Sequence, residues 1–151
     1  KARKIFEKAD RRVKSGNSEN IIEDVHINRK FSLKHLELAD LYLTYNRFDE
    51  ALFEYRKASA LDSDNIDIKL KMAKILAKKG FMSKAVDELK KLKNEYPNYI
   101  PARISLGVIY FGNGNILEAQ AEWQKVLSKE PNHKEALMYL NLSKNADEVK
   151  I

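Results

Sequence analysis

The sequence predicts an all-α fold, a solenoid of stacked helix–turn–helix units. Two observations carry this: apolar residues recur at helical spacing, and the whole pattern recurs every 34 residues. Ala51, Ala85 and Ala119 are 34 apart, as are Leu38, Met72, Leu106 and Leu140. The small residues Ala39, Ala73 and Gly107 share a column, as do Tyr42, Leu76 and Tyr110, and Tyr55, Leu89 and Trp123. Asn46, Gly80 and Gly114 fall in phase, followed two positions on by Phe48, Met82 and Ile116; Pro97 and Pro131 also match. Several columns in phase, alike in size and polarity, define a repeat rather than a coincidence.

Each unit divides into two helices. In the third, Leu106, Ile109, Tyr110 and Ile116 follow three-and-four spacing, and so do Ala119, Trp123, Val126 and Leu127. Gly114 and Asn115 lie between the halves, where a tight turn needs a permissive backbone. The small residues at 39, 73 and 107 allow two helices to approach closely, and the alanines at 51, 85 and 119 serve the mating face. Pro97-Asn98 and Pro131-Asn132 end one unit and begin the next, and Ser63-Asp64-Asn65 does so without proline. Pro101 suits the first turn of a helix. One unit cannot bury its own apolar stripe, so stacking is obligatory.

The third unit, with Leu106-Gly107, Tyr110, Gly114, Ala119, Trp123 and Pro131, resembles the tetratricopeptide repeat. The first (Leu38-Ala39, Tyr42, Ala51, Tyr55, Ala58) is nearly as good a match, and the second (Met72-Ala73, Leu76, Gly80, Ala85, Pro97) is looser. The resemblance covers about 32–133 and implies three repeats, 32–65, 66–99 and 100–133, in a right-handed superhelix. Residues 134–147 continue the first-helix register, within a C-terminal segment 134–151. Leu137, Leu140 and Ala146 are expected to face inward and Lys134, Glu135 and Lys144 to face water, as in a C-terminal capping helix. Residues 1–31 are expected to form an N-terminal cap. Within it, 3–14 make a short amphipathic helix stopped by Ser15-Gly16-Asn17-Ser18, and 19–31 make a short helix or a packed apolar segment outside the repeat register.

The net charge of +6 is uneven. Residues 1–14 hold seven basic and two acidic groups, and the remainder carries 21 basic and 20 acidic ones. The high isoelectric point therefore belongs to one end, and no nucleic-acid footprint spans the domain. The basic end offers an alternative contact with anionic membrane surfaces. Apolar residues at 44% and charged ones at 33% fit a solvated globular chain. No cysteine is present, which excludes disulfides and thiol chemistry, and no apolar run approaches the roughly 18 residues of a membrane span. The chain begins at Lys1 rather than Met, which reads as a piece of a longer protein. The cytoplasm is the expected compartment, with periplasmic or anchored forms as alternatives. The Lys-, Ile- and Asn-rich composition resembles bacterial repeat proteins.

No catalytic or metal constellation is legible, so the expectation is a protein that is not an enzyme and needs no cofactor. His26, His35 and His133 lack metal-ligand spacing, and His35 reads as a half-buried helix residue. Phe111-Gly112-Asn113-Gly114-Asn115 lacks the strand and Lys-Ser/Thr ending of a phosphate loop and reads as the inter-helix turn. Asn141-Leu142-Ser143 matches a glycosylation acceptor by letter but falls in a helix. Carboxylates read as surface partners of lysines four residues on, such as Asp87 with Lys91.

The family resemblance implies that the first helix of each repeat lines a concave, partner-binding groove. Its columns offer Leu36, Asp40 and Leu43 from the first repeat, and Leu70, Lys71, Lys74 and Lys78 from the second. The third gives Ile104, Val108 and Phe111, and the last helix gives Met138. The lining is apolar at both ends with a lysine stripe between, the character of a binding surface. The alternative is that the terminal segments cover it. Family members that clamp the C-terminal carboxylate of heat-shock chaperones carry Lys and Asn at fixed columns, which here hold Leu36, Asp40, Lys71, Pro101 and Ser105; only Lys71 fits. The expected partner is instead a protein segment with apolar anchors near Ile104, Val108 and Phe111 and acidic residues opposite Lys71, Lys74 and Lys78. The chain is expected to be a monomer.

Overall fold

The computed structural model describes residues 18–148 as seven helices and their connections. These are α1 (Ser18–Thr44), α2 (Phe48–Leu61), α3 (Ile66–Lys78), α4 (Met82–Glu95), α5 (Ile100–Gly112), α6 (Ile116–Lys129) and α7 (Lys134–Glu148). No strand occurs among the described residues, so the fold there is all-α. The amphipathic helix expected at 3–14 lies outside them.

The three inter-helix turns share one hydrogen-bond pattern. After α1, the Arg47 N–H donates to the Tyr42 carbonyl and the Asn46 N–H to that of Leu43. After α3, Phe81 bonds Leu76 and Gly80 bonds Ala77. After α5, Asn115 bonds Tyr110 and Gly114 bonds Phe111. These paired bonds are Schellman caps, which need a left-handed residue at the position after the helix. Asn46 (φ 57°), Gly80 (φ 90°) and Gly114 (φ 84°) supply it. Asparagine can stand in for glycine because its short polar side chain tolerates that region better than other L-residues. Each next helix opens on a bond from the column alanine: Ala51 to Arg47, Ala85 to Phe81 and Ala119 to Asn115. The connections between hairpins repeat as well, with Asp62, Tyr96 and Glu130 donating back to Ala58, Leu92 and Val126. Pro101 stands in the first turn of α5, where its missing N–H leaves no bond unmade.

The chain divides within α3 into two compact units, Lys1–Ile68 and Lys69–Ile151. In the first, α1 and α2 pack as an antiparallel pair. Ala39, Ala51, Tyr55 and Ala58 are fully buried there, and the buried Ser32 hydroxyl donates to the Ala58 carbonyl at 2.9 Å. The division expected at 31/32 falls inside α1, which runs unbroken from Ser18. No proline or glycine interrupts residues 18–44, so nothing ends the helix at 31. Of the two forms expected for 19–31, the helix is the one found, but it is continuous with the first-repeat helix rather than short, and Val25 and Phe31 are exposed on it.

In the second unit, α5 packs against α4 and α6, and α7 against α6 and α5. The core cluster of Ile104, Ala119, Trp123, Val126 and Ala136 lies among α5, α6 and α7. Trp123 is its centre. Its ring stacks on Tyr139 with centroids 5.3 Å apart and meets Phe111 at 6.1 Å, while its Nε1–H donates to the Ile104 carbonyl at 3.4 Å. In α7, Leu140 is buried and Ala146 half-buried, whereas Leu137, expected to face inward, is exposed. Ala136 takes the inward place beside it, and His133 Nδ1 accepts the Ala136 N–H at 3.2 Å where the helix begins.

Candidate functional site

The residues expected to line the groove are distributed over both units. In Lys1–Ile68, Leu36, Asp40 and Leu43 are half-buried on α1. Asp40 is engaged, because its carboxylate accepts the Tyr55 hydroxyl from α2. Burial of the phenol, and then that hydrogen bond, hold the Tyr55 pKa well above its ordinary 10.0. The sign follows from proton linkage. Above about pH 10 the unfolded chain releases the phenol proton while the native state keeps it, so native stability falls as pH rises through that range. Urea midpoints of the wild type are expected to drop between about pH 10 and 11, and Tyr55→Phe to remove that drop while lowering stability near neutrality by about 1 kcal/mol. An identical alkaline limb in the variant would refute the assignment.

In Lys69–Ile151, Lys74 and Lys78 are exposed along α3 and Lys71 is half-buried. Val108 on α5 and Met138 on α7 are exposed, 42% and 49%, and beside Met138 lies Leu142, which holds the same repeat column as Val108. Val108 and Met138 form the accessible apolar part of the expected lining, and Leu142 adjoins them. Two other residues behave differently. Leu70 and Ile104 are buried, and Ile104 belongs to the Trp123 core, so only its edge reaches the surface. Phe111 is half-buried against that core. Ile104 packs with Ala119, Trp123 and Val126 of α6 and Ala136 of α7, whereas Val108, about one turn later on nearly the same face, lies beyond their reach.

A depression of about 140 Å³ joins Lys74 to Ile100, Pro101, Ile104, Ser105, His133 and Glu135. It carries one ammonium and one carboxylate at its margins. Ile100 and His133 were not among the residues expected to line the groove; both sit at helix starts, where a 34-residue column says little about direction. Ser105 is buried and Pro101 exposed, so neither offers a carboxylate-clamping donor.

Ion pairs across helices were also hidden from the sequence. Lys93 on α4 and Arg103 on α5 both bond the Glu122 carboxylate of α6, at 2.7 and 3.1 Å. In the first unit, His35 Nδ1 lies 2.6 Å from the Glu54 carboxylate. His35 and Arg103 are two repeats apart, as are Glu54 and Glu122, so one column pair is filled by different basic side chains. Lys91 pairs with Glu88 at 3.6 Å rather than with Asp87; both steps bring side chains together on a helix, and the three-residue one is used here. Among the described residues no cluster of three His, Asp or Glu side chains is placed to hold a metal. Among the same residues no helix is long and apolar enough to cross a membrane.

Helical hairpins with Schellman turns, small-on-aromatic packing and a 34-residue column set define a tetratricopeptide-type repeat protein. A family model described as the tetratricopeptide repeat protein 21 ARM repeat matches residues 1–119, and the chain belongs to that family. The TPR repeat-containing protein YvcD of Bacillus subtilis (strain 168) is 33% identical over 82 residues, 54% of this chain and 17% of that protein. Human DnaJ homolog subfamily C member 3 is 28% identical over 102 residues, 68% of this chain and 20% of that protein. The chain thus spans about a fifth of the length of these curated relatives. Among solved structures, the first TPR of Spaghetti (RPAP3) bound to the HSP90 peptide SRMEEVD superposes with a TM-score of 0.66. It has 23% identity, and the match covers 78% of this chain and 94% of that one. MamA superposes with a TM-score of 0.63 at 16% identity, covering 97% and 82%. At these identities the likeness is one of fold.

Proposed function

We propose that the chain is a non-enzymatic protein-interaction module, and that its second unit binds a protein segment with apolar anchors and acidic residues. The observation that carries this is the pairing of exposed apolar side chains, Val108, Met138 and Leu142, with exposed lysines Lys74 and Lys78 in the same unit. Apolar contacts supply affinity, and the lysines select acidic sequences and orient them. The RPAP3 repeat domain carries an acidic peptide, which supports the class of ligand. The columns that would clamp a terminal carboxylate hold Leu36, Asp40, Lys71, Pro101 and Ser105. An internal segment, rather than a free C-terminus, is therefore the favoured ligand.

The test uses two synthetic peptides, one with leucine anchors around an Asp/Glu centre and one with lysines in that centre. The acidic peptide is expected to bind the more tightly. Val108→Glu with Met138→Glu is expected to weaken it about tenfold or more while helical circular dichroism stays unchanged, since both side chains are exposed. Phe111 is a poorer probe, because its substitution also disturbs Trp123. Equal binding by the double variant would remove the assignment.

A further inference from the structure

The depression on the second unit has the makings of a recess for one charged side chain. Ile100, Pro101 and Ile104 of α5 form its apolar wall, and ionisable groups reach it from elsewhere: Lys74 of α3, Glu135 of α7 and His133 just before α7. Its volume of about 140 Å³ has room for several waters, or for one short side chain of a ligand.

The role open to His133 is set by the backbone. Its Nδ1 accepts the Ala136 N–H at 3.2 Å, which caps the first turn of α7. A neutral imidazole accepts through one nitrogen and donates through the other, so the ring proton stands on Nε2. With its acceptor already used, His133 can serve a ligand only as a donor. Lys74 is a second donor; it is exposed, and no ion pair joins it to Glu135 across the depression among the described residues. A carboxylate entering the depression would therefore meet two donors. An ammonium would meet Glu135 alone, at an exposed margin where water screens it, and would be repelled by Lys74.

The apolar anchors begin where the depression ends. Val108 lies about one turn beyond Ile104 on α5, and Met138 three residues beyond Glu135 on α7, a step of roughly 6 Å or less along each helix. The chain's own first 14 residues hold seven basic and two acidic groups, so their net charge is the wrong one to fill the recess.

We propose that this depression is the subsite for a glutamate or aspartate side chain of the bound segment, its carboxylate held by Lys74 Nζ and the His133 Nε2–H while a neighbouring apolar residue of the ligand rests on Val108 and Met138. The proposal rests on the second unit being the peptide-binding one. It adds where the acidic residue sits, and that a histidine, fixed as a donor by its own helix cap, helps to select it. Hydrogen bonds to an ionised group are the stronger kind, and the apolar wall shields them in part from water.

The test measures binding to the full chain of a synthetic peptide with leucine anchors around a single glutamate, and of its glutamine counterpart. The glutamine peptide is expected to bind about tenfold more weakly. His133→Ser keeps an acceptor for the Ala136 N–H, since serine is a preferred N-cap, but it is too short to reach the ligand; it is expected to weaken the glutamate peptide about tenfold with helical content intact. Lys74→Gln, at an exposed position, is expected to weaken it about fivefold. Glu135→Gln is expected to act in the opposite direction and tighten the glutamate peptide about twofold, a reversal that general damage to the fold would not produce. Weaker binding by Glu135→Gln, or equal binding of the two peptides, would assign the recess to a cation or an uncharged side chain and overturn the proposal. Tighter binding by Glu7→Gln with Asp10→Asn would assign it to the chain's own first residues and would equally overturn it. A glutamate peptide indifferent to His133→Ser, Lys74→Gln and Glu135→Gln but still lost with Val108→Glu and Met138→Glu would overturn the subsite alone and leave the peptide-binding reading in place. A wild-type chain that binds neither peptide would overturn both.

Discussion

Gly107→Ala is expected to destabilise the protein by about 1–3 kcal/mol, although alanine is the better helix former by about 1 kcal/mol. A β-carbon at Gly107 would lie 2.5 Å from Cε2 and 2.9 Å from Cδ1 of Trp123, and closer still to Nε1. The indole cannot retreat, because it is wholly buried, stacked on Tyr139 and bonded to the Ile104 carbonyl. The other repeats show the alternative solution. Alanine occupies this column at 39 and 73, where the facing column holds Tyr55 and Leu89, and all four are essentially buried. The largest aromatic thus requires the smallest partner. Adding Trp123→Tyr to Gly107→Ala recreates the first repeat's pair and is expected to recover at least about 1 kcal/mol relative to additivity. Urea unfolding of the two single variants and the double variant measures this. A Gly107→Ala protein more stable than wild type, or strictly additive losses, would show that the close approach is not limiting.

Glu122→Ala is expected to cost about 2–4 kcal/mol, overlapping the lower part of the range for breaking a fully buried pair. The Lys93, Arg103 and Glu122 side chains are 20%, 15% and 12% exposed, so removing the carboxylate strands two largely desolvated cations. Arg103 tolerates this poorly, since its Nε is already buried without a hydrogen-bond partner. Glu88→Ala is the control. It breaks an ion pair with Lys91 between well-exposed side chains and is expected to cost no more than about 1 kcal/mol. Added salt should reduce the small Glu88 effect further and leave most of the Glu122 effect in place, because screening acts on solvent-exposed charges. Equal losses at the two sites would mean that the Glu122 cluster is effectively solvated.

Much of the fold was legible because it depends on local rules repeated in phase. Asn46, Gly80 and Gly114 mark the three turns, since a left-handed cap must be filled by one of the few residues that tolerate it. Ala51, Ala85 and Ala119 mark the helix face that must approach its neighbour, and all three are completely buried. The candidate site was only partly legible. Val108 and Met138 are accessible as the columns suggested, but Ile104 is not, because a residue's column gives its angle about the helix axis and not how far the neighbouring helices reach over it.

The sequence by itself determined that this chain is a helical repeat, where its helices turn, and which columns pack, because each of these follows from helix periodicity and backbone conformation within a few residues. Only the tertiary structure decided that α1 continues from Ser18 to Thr44, that Glu122 gathers Lys93 and Arg103, and that Leu38 and Leu41 stand open while Leu106 and Leu140 are closed. Helix length at an irregular end, charge pairing across helices and the covering of one helix by another depend on residues far apart in the chain. Their distances are set by packing and leave no periodic trace in the sequence.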